Sequence, residues 1–504
     1  MRTSGILMPI FSLPSKYGIG TFGKEAYNFI DFLKKSGQTY WQILPIGTTS
    51  FGDSPYQSFS SYAGNPYFID LEMLCDAGYL NTEEIECFDW GNRSDKIDYE
   101  KIYNSRYKVL KTAYNRFKPT SKENADYKRF LEKNSFWLED YALFCAIKNL
   151  HGGASFDLWD AGYKTREAKI IKKTKADLCE EIDFYRFIQY HFFLQWEALK
   201  AYANENGIYI IGDIPIYVAF DSADVWSSPE QFLLNSDLLP TSVAGCPPDA
   251  FCDDGQLWGN PLYNWDYMKK NNYDWWIRRI GFATQLYDVV RIDHFRAFSA
   301  FYSIPYGDKT AVNGIWKKGP GKELFKALDK ALGNLNIIAE DLGTIDDDVR
   351  SLLKFTGYPG MKVLQFAFST DSESSYLPHN IGTDCVVYTG THDNDTAVGY
   401  MENADSNEVK YMREYLRIDE SDSFNWSLIK AAMATPAETV ILQMQDFLGL
   451  DNSARINKPS TIGDNWQWRI TEGCINDWLA EIIYNCTKIY YRLPQAKKNT
   501  ENMT

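Results

Sequence analysis

A recurrent unit constrains the fold more than any other feature: a short apolar run that ends in a carboxylate and is followed by a helical pattern. Val289-Val290-Arg291-Ile292-Asp293 is one such run. Ile208-Tyr209-Ile210-Ile211-Gly212-Asp213 and Leu335-Asn336-Ile337-Ile338-Ala339-Glu340 repeat it, and Cys385-Val386-Val387-Tyr388 leads on to Asp393. Unbroken apolar runs of this length describe strands buried on both faces, as in a parallel sheet. Residues 363–368 and 439–444 add two runs, and residues 42–47 and 66–71 two more near the N-terminus. Helical patterns intervene over residues 24–35, where Ser36-Gly37 stops the helix, and over 321–332 and 406–417. Strands alternating with helices imply right-handed crossovers, and eight of them close a barrel. The expected fold class is therefore α/β, a (β/α)8 TIM barrel over residues 1–504 as a single catalytic domain.

Two segments interrupt the repeat. From about residue 80 to 200 the pattern stays helical, with Trp137, Tyr141, Phe144 and Ile147 on one face; that stripe reads as core under a helical insertion. The stretch from about 220 to 285 is long for one crossover. Its middle, residues 245–263, is rich in Gly, Pro and aromatics and reads as an ordered loop presenting Trp258. Residues 463–469 form a further polar-aromatic turn, and the tail from 493 to 504 is polar and expected to fray. No all-β stretch follows the barrel.

In a barrel the carboxyl ends of the strands meet on one face. Asp213, Asp293, Glu340 and Asp393 are then like charges on one rim, which is unfavourable unless it is used. Arg291 lies two residues before Asp293, so on a strand both side chains share a face. The guanidinium is expected to lower the Asp293 pKa and keep it ionised, as a nucleophile at a sugar acetal requires. Glu340 follows an apolar run beside that charge, which suits a protonated general acid. Retaining glycosyl transfer uses two carboxyls roughly 5–5.5 Å apart in these two states. Asp393 beside His392 is placed to bind substrate hydroxyls; Asp341, on the other side of its strand from Glu340, reads as structural. A structural Arg–Asp pair is the plainer alternative for residues 291 and 293. Two His and three acids also form a loose set, a second candidate reading as a divalent-ion site, although no H-x-x-H or E-x-x-H spacing occurs. A G-x-S-x-G elbow, a P-loop and a dinucleotide fingerprint are absent.

The formal net charge of −15 repels phosphate backbones and anionic membrane surfaces, so neither nucleic acid nor membrane is an expected partner. Nine unpatterned Cys, no signal-peptide run and no apolar span long enough for a bilayer point to a cytoplasmic protein. Aromatic residues reach 16%, which suits sugar faces but also fills cores.

The motifs together resemble the 4-alpha-glucanotransferases (amylomaltases, or disproportionating enzymes) of the alpha-amylase clan. The stretches that carry the likeness run nearly end to end: Ser12-Leu13-Pro14-Ser15-Lys16-Tyr17-Gly18, Ser54-Pro55-Tyr56-Gln57, Gly212-Asp213-Ile214-Pro215, Trp258-Gly259-Asn260-Pro261, Arg291-Ile292-Asp293-His294-Phe295-Arg296, Ala339-Glu340-Asp341-Leu342-Gly343 and Gly390-Thr391-His392-Asp393-Asn394. The resemblance implies Asp293 as nucleophile, Glu340 as acid/base and Asp393 as transition-state stabiliser. It also implies substrate contacts from Tyr56, Asp213, Trp258, Arg291, His294, His392 and Asn465. It implies alpha-1,4-glucans (maltooligosaccharides, starch or glycogen chains) as partners, with no organic cofactor and no catalytic metal. Ala297 departs from the usual Gly after Phe295-Arg296. Two other readings stay open: an alpha-amylase-like hydrolase with the same acids, and a glucan-binding protein without turnover.

Overall fold

The computed structural model describes residues 2–49, 52–248, 253–343, 345–369, 374–419 and 422–494. The expectations for residues 249–252 and for the tail from 495 fall outside them. Twelve strands occur there: β1 (Thr3–Leu7), β2 (Tyr40–Gln42), β3 (Tyr209–Pro215), β4 (Ser242–Cys246), β5 (Gln256–Pro261), β6 (Val289–Asp293), β7 (Ala300–Pro305), β8 (Ile315–Lys318), β9 (Ile337–Ala339), β10 (Gly360–Val363), β11 (Cys385–Tyr388) and β12 (Thr439–Gln443). Eight form a parallel sheet in the order β10-β11-β12-β1-β2-β3-β6-β9. This is the expected (β/α)8 TIM barrel.

The barrel closes between β9 and β10. Ala339 N donates to Pro359 O at 2.9 Å. The next contact is made by a side chain: Met361 N donates to Asp341 Oδ1 at 2.6 Å. Asp341 is thus structural. It satisfies a backbone donor where the ladder between the two edge strands is incomplete.

Three strand assignments are corrected. Residues 66–71 are not a strand. Asn65 accepts from Tyr67 N, Pro66 opens a 3-10 turn, and Asp70 caps the helix Leu71–Asp76 by accepting from Met73 N. Cap chemistry outweighed the β-propensity of that run. The eighth strand is β1, buried over all five residues. It packs closely on β2: a Cβ at Gly5 would lie 2.5 Å from Tyr40 O, so only glycine allows this approach. Near residue 363 the strand ends earlier than expected. The chain turns into the 3-10 turn Leu364–Phe366, and Gln365 Nε2 then reaches Asp395 O at 2.8 Å. In the first strand region only Tyr40–Gln42 pairs, not residues 42–47.

The stretch expected as loop carries β4 and β5. With β7 and β8 they form an antiparallel sheet in the order β5-β4-β7-β8. The partner strand β7 lies beyond Asp293, so local periodicity could not reveal the pairing. Helices Tyr99–Ser121, Ala125–Leu150 and Cys179–Glu205 pack together through rings, among them Phe117–Phe187 at 5.1 Å and Trp137–Phe193 at 5.9 Å. Much of the aromatic excess serves this packing. Among the described residues no helix is long and apolar enough to cross a membrane.

Asp341→Ala leaves the Met361 N–H without its partner at the closing seam, a loss of about 1–3 kcal/mol. Thermal unfolding should show a midpoint lowered by about 1–3 °C; an unchanged midpoint would show that the seam does not depend on the carboxylate.

Candidate active site

Strands β3, β6 and β9 are neighbours, with Asp213 opposite Arg291, Pro215 opposite Asp293 and Ile292 opposite Ala339. This register puts Arg291 between two carboxylates. Its Nη1 lies 2.6 Å from Asp213 Oδ2 and 3.0 Å from Asp293 Oδ1. Arg291 and Asp213 are buried, whereas the Asp293 side chain keeps 30% of its surface open. Tyr56 OH donates to Asp213 Oδ2 at 2.8 Å. The other Asp213 oxygen, Oδ1, is buried and has no hydrogen-bond partner among the described residues.

Glu340 follows β9 directly. Its Oε2 accepts from His294 N at 2.7 Å and its Oε1 from Leu342 N at 2.6 Å. The first bond depends on backbone geometry: His294 is left-handed, with φ 54°, so the chain turns back immediately after Asp293. Phe295 N also donates to Glu340 O at 3.0 Å. The end of β6 and the end of β9 are therefore joined at the residues next to both acids.

Burial pushes the Glu340 carboxyl up to about 8, and the Asp293 charge adds to it against the two N–H donors. Burial also pushes Asp293 up, to about 6, because it outweighs the opposing Arg291 charge. Arg291 lowers the Asp293 pKa as expected, but burial, which the sequence does not show, outweighs it. The order of the two is nonetheless the expected one, with Asp293 ionised and Glu340 protonated near neutrality. His294 is held neutral, its pKa lowered to about 3 by burial. Its ring meets Trp258 edge-on at 4.8 Å, and its Nε2 is buried without a hydrogen-bond partner among the described residues.

Asp393 comes from the loop after β11. His392 stacks on Tyr56 at 5.1 Å, and its Nε2 lies 3.4 Å from Asp393 Oδ1. The charges of His392 and Asp393 both bear on Asp293. Four residues that the sequence did not single out as site residues hold this wall. Asn457 Nδ2 donates to Asp393 Oδ1 at 2.6 Å. Arg455 donates to Asp393 O and pairs with Asp395. Trp466 lies 5.8 Å from the Tyr56 ring and 5.9 Å from the His392 ring. The buried Asp446 accepts from Thr389 Oγ1 at 2.5 Å and from Ala397 N at 2.7 Å, bracing both ends of the Asp393 loop. Trp466 belongs to the polar-aromatic turn noted in the sequence; Arg455, Asn457 and Asp446 carry no spacing signal.

The structure thus brings Asp213, Arg291, Asp293, His294 and Glu340 into one cluster, walled by Tyr56, His392 and Asp393 and reached by Trp258 through His294. Asn465 differs. Its Oδ1 accepts from Lys458 N at 2.9 Å, and its Nδ2 donates to Thr461 O and Oγ1 at 3.1 Å each. These bonds close its own loop rather than reach the acids. No group of three or more His, Cys, Asp or Glu among the described residues is arranged to hold a metal ion. One ionised and one protonated carboxyl, tied to consecutive backbone positions, can work as nucleophile and acid on a single acetal.

Residues 8–475 match the family model described as 4-alpha-glucanotransferase. The 4-alpha-glucanotransferase of Clostridium butyricum is 50% identical over 487 residues, covering 96% of this chain and 100% of the relative. That of Thermus thermophilus is 45% identical over 481 residues, covering 94% and 95%. The structure of the amylomaltase from Streptococcus agalactiae in complex with acarbose superposes with a TM-score of 0.96 at 42% identity, covering 98% of this chain and 100% of that one. With the family model spanning most of its length and relatives near half identity, the chain belongs to the 4-alpha-glucanotransferase family.

Proposed function

We propose that this 4-alpha-glucanotransferase moves alpha-1,4-glucan segments between maltooligosaccharide or starch chains, onto the 4-hydroxyl of another glucan or of glucose, by retaining double displacement. Asp293 attacks the anomeric carbon while Glu340 gives its proton to the leaving O4, so a glycosyl ester forms and the donor remnant departs. The ester removes the Asp293 charge that helps to hold the Glu340 pKa up. The Glu340 pKa then falls, and the carboxylate takes the proton of the incoming 4-hydroxyl as its oxygen attacks the ester-bound carbon. Asp293 is released ionised and the configuration is retained. Arg291 serves both states: with Asp293 esterified, Asp213 still balances it.

The observation that carries this reading is the His294 N–Glu340 Oε2 bond, which ties the high-pKa carboxyl to the residue after the low-pKa one. Asp213 Oδ1 and His294 Nε2, both buried and unpartnered, are suited to substrate hydroxyls. Trp258 offers a ring beside them. Asn457 binds Asp393 Oδ1, leaving Oδ2 for hydroxyls that tighten their hold as the ring flattens in the transition state. The partners are neutral glucans, which suits a chain of net charge −15. We also read the barrel and its insertions as one catalytic domain, and the nine unpatterned cysteines of the sequence as fitting the cytoplasm.

Maltotriose alone should yield glucose and a ladder of longer oligosaccharides; only shorter products would favour the hydrolase. The kcat/KM profile should be bell-shaped. It rises as pH passes about 6 and falls beyond about 8, the two apparent values at which the Asp293–Glu340 pair gains and then loses the singly protonated state. A profile flat from pH 5 to 9 would contradict these assignments. Glu340→Gln should lower kcat on maltotriose by about 10²–10⁴-fold with the fold intact, and near-normal turnover would remove Glu340 from the mechanism.

A further inference from the structure

The helix Asp477–Ile489 buries Leu479, Ala480, Ile483, Cys486 and Thr487 on one side, and the helix Lys24–Lys35 packs beside it. Its outer side carries apolar groups where solvent meets it. Trp478 is 70% exposed and Ile489 69%. Eleven residues make three turns and about 20°, so these two side chains lie in line. The half-buried Ile482, four residues after the first and seven before the second, joins them in one stripe. Tyr491, just past the helix end, adds a ring that is 85% exposed. Apolar side chains scattered singly on a surface need no partner, but a continuous stripe marks an interaction surface.

The charges beside the stripe identify the partner. Glu481 and Lys488 are exposed and seven residues apart, so they share one flank of it. About 10 Å separates them along the axis, too far to pair with each other. Among the described residues neither has an ion-pair partner, whereas Asp477 pairs with Lys35 at 2.8 Å. In an antiparallel helix pair related by a two-fold axis, equal flanks face each other. A second copy of this helix then sets Glu481 against the partner's Lys488 and Trp478 over the partner's Ile489. The charged pairs centre between Tyr484 and Asn485, and the apolar pairs between Ile483 and Tyr484. These centres differ by one residue, about 1.5 Å, so a single two-fold axis serves both sets. A parallel copy in register would instead set each Glu481 against its like.

We propose that a second copy of this chain docks on the outer face of the helix Asp477–Ile489, antiparallel about a two-fold axis near Tyr484, to give a homodimer. One helix pair buries less than the roughly 800 Å² per partner of a standard interface, so the dimer is a weak one, dissociating at about 10–100 µM. The face contains none of the active-site residues, and the proposal does not depend on the glucan reading.

The test is sedimentation velocity on the full chain from about 1 to 200 µM, with circular dichroism to check that each variant folds. The wild type should pass from monomer to dimer across that range. Trp478→Glu, an acid in the first helical turn where the helix tolerates it, should raise the dissociation constant at least about tenfold. Glu481→Lys and Lys488→Glu should each raise it about threefold or more by setting like charges together, and the double exchange E481K/K488E should return it to near the wild-type value. A wild type that stays monomeric to 200 µM would overturn the proposal. So would a dimer indifferent to Trp478→Glu, a double exchange no better than the single ones, or association that grows past the dimer.

Discussion

One buried cation holds the active face together. Arg291 lies between Asp213 and Asp293, within hydrogen-bond distance of both. Burying a guanidinium is unfavourable unless it is paired, and burying two carboxylates beside each other is unfavourable without a cation between them. The register of β3 on β6 solves both problems by placing Asp213 directly opposite Arg291. It also gives the site a property that an isolated ion pair lacks: a second carboxylate remains to balance the cation when the first becomes an ester. The shared charge further explains why Asp293 titrates below Glu340 although both are raised by burial.

The remaining elements translate that register into geometry. The left-handed His294 folds the chain back so that its N–H meets Glu340. Asp341, next along the chain, ties β9 to β10 at the barrel seam. Adjacent residues thus carry chemistry and closure, which restricts how far Glu340 can move. On the opposite wall Asp446 braces the loop that carries Asp393, and Asn457 fixes one of its oxygens. Rigid strands supply the nucleophile and acid; braced loops supply the rest.

Much of this was legible in the sequence where the signal is local. Asp213, Asp293 and Glu340 end apolar runs, and a parallel barrel must bring such ends to one face. The Arg291–Asp293 spacing alone implied their contact. What was not legible depended on partners far along the chain. β1 is only five residues long, and its burial comes from β2 and β12. β4 and β5 read as loop because their sheet is completed by β7, which pairs with β4 from beyond Asp293. Asn457 and Arg455 lie in no periodic stretch, and their role follows only from the folded position of Asp393. The Asp293 pKa was misjudged because a sequence shows the neighbouring cation but not the burial that outweighs it. Asn465, a substrate contact that only the resemblance implied, closes its own loop here.

The claim on which everything else rests is that residues 293 and 340 act as partners on one anomeric carbon. The most direct measurement uses Glu340→Gln with an alpha-maltosyl fluoride donor, whose leaving group needs no acid, followed by acid quench and peptide mass mapping. Without its base the intermediate should accumulate, and the peptide bearing Asp293 should carry the added maltosyl unit. A maltosyl adduct on any other carboxylate, or rapid turnover with no adduct at all, would contradict it.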